Sequence, residues 1–456
     1  MKSINPKNNQ VIKEFKQHTP EEVEEIVRLS YEAYKNMHGI DMEYRADWLK
    51  FVADRLRGRK RRYAEHITME MGKPITQSIA EIEKCALVCD YYAKNYLSFL
   101  LPENLQGGPG RINQLIFKPL GPVLAVMPWN YPFWQVFRFA APALMAGNTA
   151  ILKHSSYVPQ CAMDIEELFK EAIFVDNAFR SVFVSGSSGL AEKMIADDRV
   201  VAVTLTGSEG AGSRVAEVAG RNIKKTVLEL GGSDPFIVMD TANLEKAMDA
   251  AIQGRFQNAG QSCIAAKRFI VQKDVAKKFA EGIADRIKNM KYGDPDLEET
   301  EMGPMCRSSL RDEIHEQVQK AVKDGAKLVM GGKIENKNSA YYPPTLLVDV
   351  KPDNIIFREE TFGPVFAICE YDDYKDALKI ANMSEFGLGS SIWTEEYNSK
   401  LDVLIEGIES GAVFVNSITK SHPALPFGGV KKSGYGRELA HLGIREFMNI
   451  KTVCHE

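Results

Sequence analysis

The chain has 456 residues, 45% of them hydrophobic, with 57 Lys or Arg against 61 Asp or Glu and a formal charge of −4. These values exclude a collagen-like, low-complexity or disordered polymer, and the near balance of charge gives no field drawing the molecule to nucleic acid or an anionic membrane. At about 150 residues per domain, the length sets a prior of roughly three domains and a substantial core.

Thr19-Pro20-Glu21-Glu22 combines a capping signal with proline at the first helical position, and Val23, Ile26, Val27, Ser30 and Tyr34 continue a helical period. Further amphipathic helices are predicted over 41–57, 60–71 and 75–99, so the first hundred residues read as mainly helical. The basic run Arg55, Arg57, Arg59, Lys60, Arg61 and Arg62 lies at a helix end among acidic helices and reads as a solvated turn.

From residue 113 the pattern changes. Strands are predicted at 114–118, 123–127, 149–152, 181–185 and 200–206, with helices at 134–145, 159–170 and 189–196 and one beginning near Ala211. Continuous apolar strands alternating with helices predict a parallel, doubly wound sheet. A second α/β series comes next, with a strand at 235–239, a helix at 244–257 and a strand at 268–271, ending in a strand at 413–416. The stretch before residue 114, with Gly107-Gly108-Pro109-Gly110, and residues 446–453 fit neither sheet; they read as arms pairing with a second subunit or as a surface hairpin. Residues 119–137 carry no charge, but Pro119, Pro122, Pro128 and Pro132 exclude a spanning helix there.

The seven cysteines are odd in number and form no CxxC, so neither a disulfide framework nor a zinc site is indicated, and no metal is expected. The N-terminal residues lack a secretory apolar core, and a cytoplasmic protein is expected. Cys85 and Cys89, at i and i+4, read as buried apolar residues.

A doubly wound sheet makes a nucleotide the default ligand, bound beyond the carboxyl ends of its strands. The usual GxGxxG and P-loop are absent. One predicted strand instead runs into Thr206-Gly207-Ser208-Glu209-Gly210-Ala211-Gly212, whose glycines allow a ligand to approach the backbone at a helix N-terminus, or serve turn geometry alone. Cys263 sits in the small polar segment Asn258-Ala259-Gly260-Gln261-Ser262-Cys263. Glu229 ends an apolar strand; if buried, it has a raised pKa suited to proton abstraction, and otherwise it is a salt-bridged edge residue.

Six ordered blocks resemble the aldehyde dehydrogenase superfamily across the whole chain: Pro128-Trp129-Asn130-Tyr131-Pro132, Thr206-Gly207-Ser208, Leu228-Glu229-Leu230-Gly231-Gly232, Gly260-Gln261-Ser262-Cys263, Glu360-Thr361-Phe362-Gly363-Pro364-Val365, and Pro426-Phe427-Gly428-Gly429 continued by Lys431, Ser433, Gly434, Gly436, Arg437 and Glu438. The resemblance implies an α/β fold with a Rossmann-type cofactor domain (1–104 and 119–229), a catalytic domain (230–425) and oligomerisation arms (105–118 and 440–456) giving a homodimer or homotetramer. It implies that Cys263 attacks an aldehyde as a low-pKa thiolate sensitive to peroxide, that the Asn130 amide and the Cys263 N–H hold the oxyanion, and that Glu229 activates water against the thioester. Trp129, Lys153, Ser156, Gly207, Ser208, Glu360 and Phe362 match cofactor-binding positions.

At Lys153-His154-Ser155-Ser156, relatives that prefer NAD often carry a glutamate where this chain has Ser156. A carboxylate repels a 2′-phosphate, whereas serine donates to it and Lys153 neutralises it, so NADP is expected over NAD, with dual use as the alternative. Arg138, eight residues after Asn130, matches an arginine that binds the substrate carboxylate in semialdehyde dehydrogenases, with Ser421 assisting and Trp134 walling the channel. The alternative for Arg138 is an ion pair within the helix layer. A second such arginine is replaced here by Gln257, with Arg255 two residues earlier. The expected substrate is succinate semialdehyde. Rival readings are a broader dehydrogenase acting on lactaldehyde, glutarate semialdehyde or aromatic aldehydes, and a non-catalytic protein on the same fold.

Overall fold

At Thr19 the expected cap forms. Its side chain accepts from the Glu22 N–H, Glu22 returns a bond to the Thr19 N–H, and the helix Pro20–Met37 begins there. Three more helices, Met42–Gly58, Lys60–Met71 and Ile75–Leu100, complete the helical start, preceded by a short hairpin of Lys2–Ile4 with Val11–Glu14. Of the basic run, Arg57, Arg59, Lys60, Arg61 and Arg62 form ion pairs with Glu83, Asp90, Glu171, Glu65, Glu298 and Glu167, while Arg55 lies over the Phe51 ring. The computed structural model describes residues 1–173 and 175–456.

The first sheet has six strands in the order Gly434–Tyr435, Lys225–Glu229, Ala202–Thr206, Pro122–Met127, Thr149–His154 and Phe179–Ser181, parallel except at the first. Its interior strands are almost wholly buried, which is why they read as unbroken apolar runs. The strand order reverses between Pro122–Met127 and Ala202–Thr206, so the carboxyl ends of these neighbours, leading into Trp129-Asn130 and Gly207-Ser208, open a crevice suited to a ligand.

The strand expected at 181–185 forms two residues earlier, at Phe179–Ser181. Beyond it the backbone turns to another partner: Phe183 exchanges hydrogen bonds with His18, and the Ser185 N–H donates to Gln17. The apolar pattern is the same for either register, and the N-terminal segment decides between them.

The second sheet has seven strands in the order Lys327–Met330, Thr345–Val348, Val365–Tyr371, Ala266–Gln272, Asp234–Val238, Ser390–Trp393 and Val413–Val415, antiparallel only at the first pair. It carries its own core around Phe236, Phe269 and Phe366. A third, three-stranded sheet joins Met448–His455, Ile112–Pro119 and Glu103–Asn104, all antiparallel. Within 440–456, residues Ala440–Arg445 instead form a helix with Ala440, Gly443 and Ile444 buried, and Tyr92 donates to the Ala440 carbonyl. No helix among the described residues is long and apolar enough to cross a membrane.

Candidate active site

Cys263 comes just after a tight turn in which Asn258, Ala259 and Gly260 all have left-handed backbone, with φ of 56, 52 and 72°. Consecutive left-handed L-residues cost about 1–2 kcal/mol each, so something must hold them. A polar lattice does. Asn258 Nδ2 donates to the carbonyls of Asn130 (2.8 Å) and Gln261 (3.1 Å), Asn130 Nδ2 donates to the Gln261 carbonyl (3.1 Å), and Gln261 Nε2 returns to Asn258 (3.0 Å). The buried Arg255 donates to the carbonyls of Gly260, Thr361 and Gly363, so it does not face the substrate side; it ties the turn to the loop carrying Glu360 and Phe362. Lys267 donates to the carbonyls of Ser262 (2.8 Å) and Cys263 (2.7 Å) and pairs with Glu360 at 3.2 Å.

Cys263 is partly buried. Desolvation pushes its thiol up to about 11, against the pull of Arg138 and Lys267. Burial thus works against the low-pKa thiolate, and against the peroxide sensitivity, that the resemblance implies.

Glu229 ends its strand almost fully buried, and neither carboxylate oxygen has a hydrogen-bond partner among the described residues. Burial first, and the neighbouring Glu438 second, raise its pKa well above the usual carboxylate range. The edge strand Gly434–Tyr435, lying antiparallel to Lys225–Glu229, brings Glu438 to this place from the far end of the chain.

Arg138 makes an ion pair, as in the alternative reading entertained for it, and stands at the cavity wall. It pairs with Glu438, donates to Thr206 Oγ1 at 3.3 Å and stacks on Phe427 at 4.6 Å, and it also lines a cavity of about 260 Å³ shared with Cys263, Trp134 and Ser421. Trp134 opens the helix Trp134–Ala146, and its indole N–H donates to Ser421 Oγ at 3.0 Å. Lys84, from the helix Ile75–Leu100, reaches the same oxygen at 2.8 Å. Asn130 and Glu229 are not among the cavity's lining residues.

On the cofactor side, Trp129 lies edge-on to Phe362, with ring centroids 5.8 Å apart, and Glu360 accepts from the Gly232 N–H at 3.0 Å. Ser208 caps the helix Glu209–Arg221, which begins two residues before the expected start, and a Cβ placed on Gly207 would meet only Leu205, at 3.6 Å. That open turn before free N–H groups fits the phosphates of a dinucleotide. Lys153 is half-buried at the end of its strand, its pKa lowered by burial and opposed by Glu192, and Ser156 is half-buried in the next turn.

Four polar residues at this site were not picked out from the sequence. Glu81 accepts from the N–H groups of Phe133 (2.9 Å) and Trp134 (3.0 Å), capping the helix that carries Arg138, while pairing with the buried Lys73. Glu438 belongs to a matched block but carried no role, and Lys84 and Lys267 gave no sign at all. Apart from the Ser262 and Cys263 carbonyls beside Lys267, their side-chain partners lie from 8 to about 340 residues away, beyond any local pattern. No cluster of metal-binding side chains occurs among the described residues.

Comparison with known proteins agrees with this geometry. Residues 1–453 match the aldehyde dehydrogenase family. The probable NADP(+)-dependent succinate-semialdehyde dehydrogenase of Synechocystis sp. is 47% identical over 99% of this chain and 98% of its own, and the NADP(+)-dependent succinate-semialdehyde dehydrogenase of Mycobacterium leprae is 43% identical over the same shares. The crystal structure of succinic semialdehyde dehydrogenase from Streptococcus pyogenes with NADP+ superposes with a TM-score of 0.96, at 37% identity and 99% coverage of both chains. A match spanning nearly the whole sequence, in the same fold, makes the chain a member of the aldehyde dehydrogenase family.

Proposed function

We propose that the protein oxidises succinate semialdehyde to succinate with NADP as the preferred cofactor. The observation that carries this reading is the single cavity in which Arg138 and Ser421 stand with the Cys263 thiol, so that a short aldehyde with a carboxylate at its other end has a nucleophile and a cation within one space. The names of the relatives support the same substrate and cofactor.

The dinucleotide, when bound, supplies the acceptor for the hydride lost by the aldehyde carbon. The open turn at Gly207, the cap at Ser208 and the Trp129–Phe362 pair would hold it, with Glu360 toward the ribose. Lys153 and Ser156, with no acid at position 156, favour a 2′-phosphate at the adenosine end; Glu192 beside Lys153 offsets part of that charge.

Cys263 would form the bond to the carbonyl carbon, the C=O π pair moving onto oxygen and the thiol proton passing to Glu229, whose charge acts on that sulfur, and on to solvent before the hydrolytic step. The Asn130 amide has one N–H bound to Gln261, which fixes its plane and leaves the other N–H for the oxyanion. Four carboxyl groups lie around this site, and among the described residues only Glu229 has no polar partner: Glu81 is held by Lys73 and by the Phe133 and Trp134 N–H groups. Glu360 is held by Lys267 and the Gly232 N–H, and Glu438 by Arg138, whereas Glu229 has no hydrogen bond to break before it turns toward the thioester and takes a proton from water. The three-stranded sheet, with Ile450 on an edge strand and Ile112 at the start of the middle strand both about half exposed, supports assembly as a homodimer or homotetramer through these arms.

The test is a matrix of kcat/KM values for succinate semialdehyde and butanal with NADP and NAD. The expected maximum is succinate semialdehyde with NADP. The double variant Arg138→Ala, Glu438→Gln, which orphans no buried charge, should lower kcat/KM for the acidic substrate at least tenfold more than for butanal. Equal losses on both, or NAD matching NADP, would refute the corresponding part.

A further inference from the structure

We infer that Lys84, together with the Ser421 hydroxyl, forms a second binding point for the substrate carboxylate. The inference rests on the reading above that the substrate is an aldehyde carrying a carboxylate.

Ser421 Oγ accepts two hydrogen bonds, from Lys84 Nζ at 2.8 Å and Trp134 Nε1 at 3.0 Å. A hydroxyl oxygen has two lone pairs, so both are committed and its hydrogen must be donated elsewhere. No acceptor among the described residues takes it, and Ser421 lines the cavity that contains Cys263. Ser421 is thereby fixed as a donor toward that space.

Lys84 is placed with equal definition. It lies one turn after Glu81, the residue that caps the Trp134 helix, and its ammonium sits over the Trp134 ring at 4.1 Å. Three cations line the cavity, Arg138, Lys84 and the solvent-exposed Lys420, and the two that lie deeper differ in an important respect. Arg138 already has a carboxylate partner in Glu438, whereas no carboxylate among the described residues lies within 4.0 Å of the Lys84 ammonium. Lys420 keeps its charge in solvent, so the desolvated positive charge of the cavity without a carboxylate partner is that of Lys84.

Around it are Arg138, Glu81, Cys85 and Cys263, and burial, with repulsion from Arg138 second, brings its pKa down to about 8. The ammonium is still the main form at pH 7, but poorly solvated, so an arriving carboxylate replaces lost hydration with a charge-assisted hydrogen bond. A monoanionic aldehyde end suits one free ammonium and one hydroxyl donor.

The experiment compares wild type, Lys84→Met and Lys84→Arg on succinate semialdehyde and butanal, with thermal melts of each. Lys84→Met should reduce the kcat/KM ratio of succinate semialdehyde to butanal at least tenfold, mainly through KM for the acid, and Lys84→Arg should restore most of it. A ratio within twofold of wild type, or a KM rise equal on both aldehydes, overturns the proposal. A measurement on wild type alone guards against a variant that fails to fold: inhibition by succinate should weaken at least tenfold between pH 7 and 9.5 as Lys84 loses its proton, and a flat profile also overturns it. Wild type with no preference for succinate semialdehyde over butanal would instead bring down the functional reading on which this one stands.

Discussion

The protonation of one sulfur is decided by what surrounds it. Burial holds the Cys263 thiol at about 11, although Arg138 and Lys267 both favour the anion. A shift in this direction leaves the thiol mostly protonated at pH 7. Alkylation of the cofactor-free protein by iodoacetamide should therefore be slow at pH 7 and accelerate about tenfold per pH unit up to pH 10, because the reactive form increases as the proton leaves. A rate that levels off below pH 8.5 would show that the thiol is already ionised and that desolvation has been outweighed. The sequence identified this residue through its block, but its ionisation depends on Lys267, Arg138 and Glu229, which come from three other elements. Arg138 makes the same point: its spacing from Asn130 was legible, whereas its partner Glu438 lies 300 residues on, by the difference of the two positions.

Elements, rather than residues, set the geometry of the nucleophile. The turn Asn258-Ala259-Gly260 stores left-handed backbone just before Cys263, held from one side by Asn130 and from the other by Arg255. A Cβ on Gly260 would collide with Arg255 Nη2 and the Gly363 carbonyl oxygen, in a conformation L-residues resist. Gly260→Ala should thus cost on the order of 2–4 kcal/mol in a denaturant melt and lower kcat more than a hundredfold, by moving the sulfur and loosening the link to Glu360. A variant with near wild-type stability and kcat would show that this turn does not position the thiol. Local signals were enough for much at this scale. The Thr19 box, Pro20 and the apolar strand runs gave most helices and strands, while the strand at Phe179–Ser181 was misplaced because His18 and Gln17 compete for the backbone beyond it.

At the scale of the whole molecule, the last quarter of the chain closes what the first half begins. Gly434–Tyr435 extends the first sheet beside Glu229, and Met448–His455 pairs along all eight residues with Ile112–Pro119. The latter strands project Ile450 and Ile112, 52 and 50% exposed, from a sheet of only three strands. Two exposed isoleucines on a small sheet with open edges suit burial against another copy. Ile450→Lys with Ile112→Lys should lower the assembly mass in light scattering to that of one chain while the circular dichroism spectrum persists; an unchanged mass would place the interface elsewhere. The amino-acid sequence by itself determined the two α/β series, the family and the positions of Cys263, Glu229 and Asn130, because periodicity, caps and short motifs are local properties of the chain. Tertiary structure alone decided that burial opposes ionisation of Cys263, that Arg138 is already paired, that Arg255 is caged by carbonyls and that Lys84 faces the cavity. Burial and charge pairing depend on distances in space between residues far apart along the chain, and no local pattern encodes those distances.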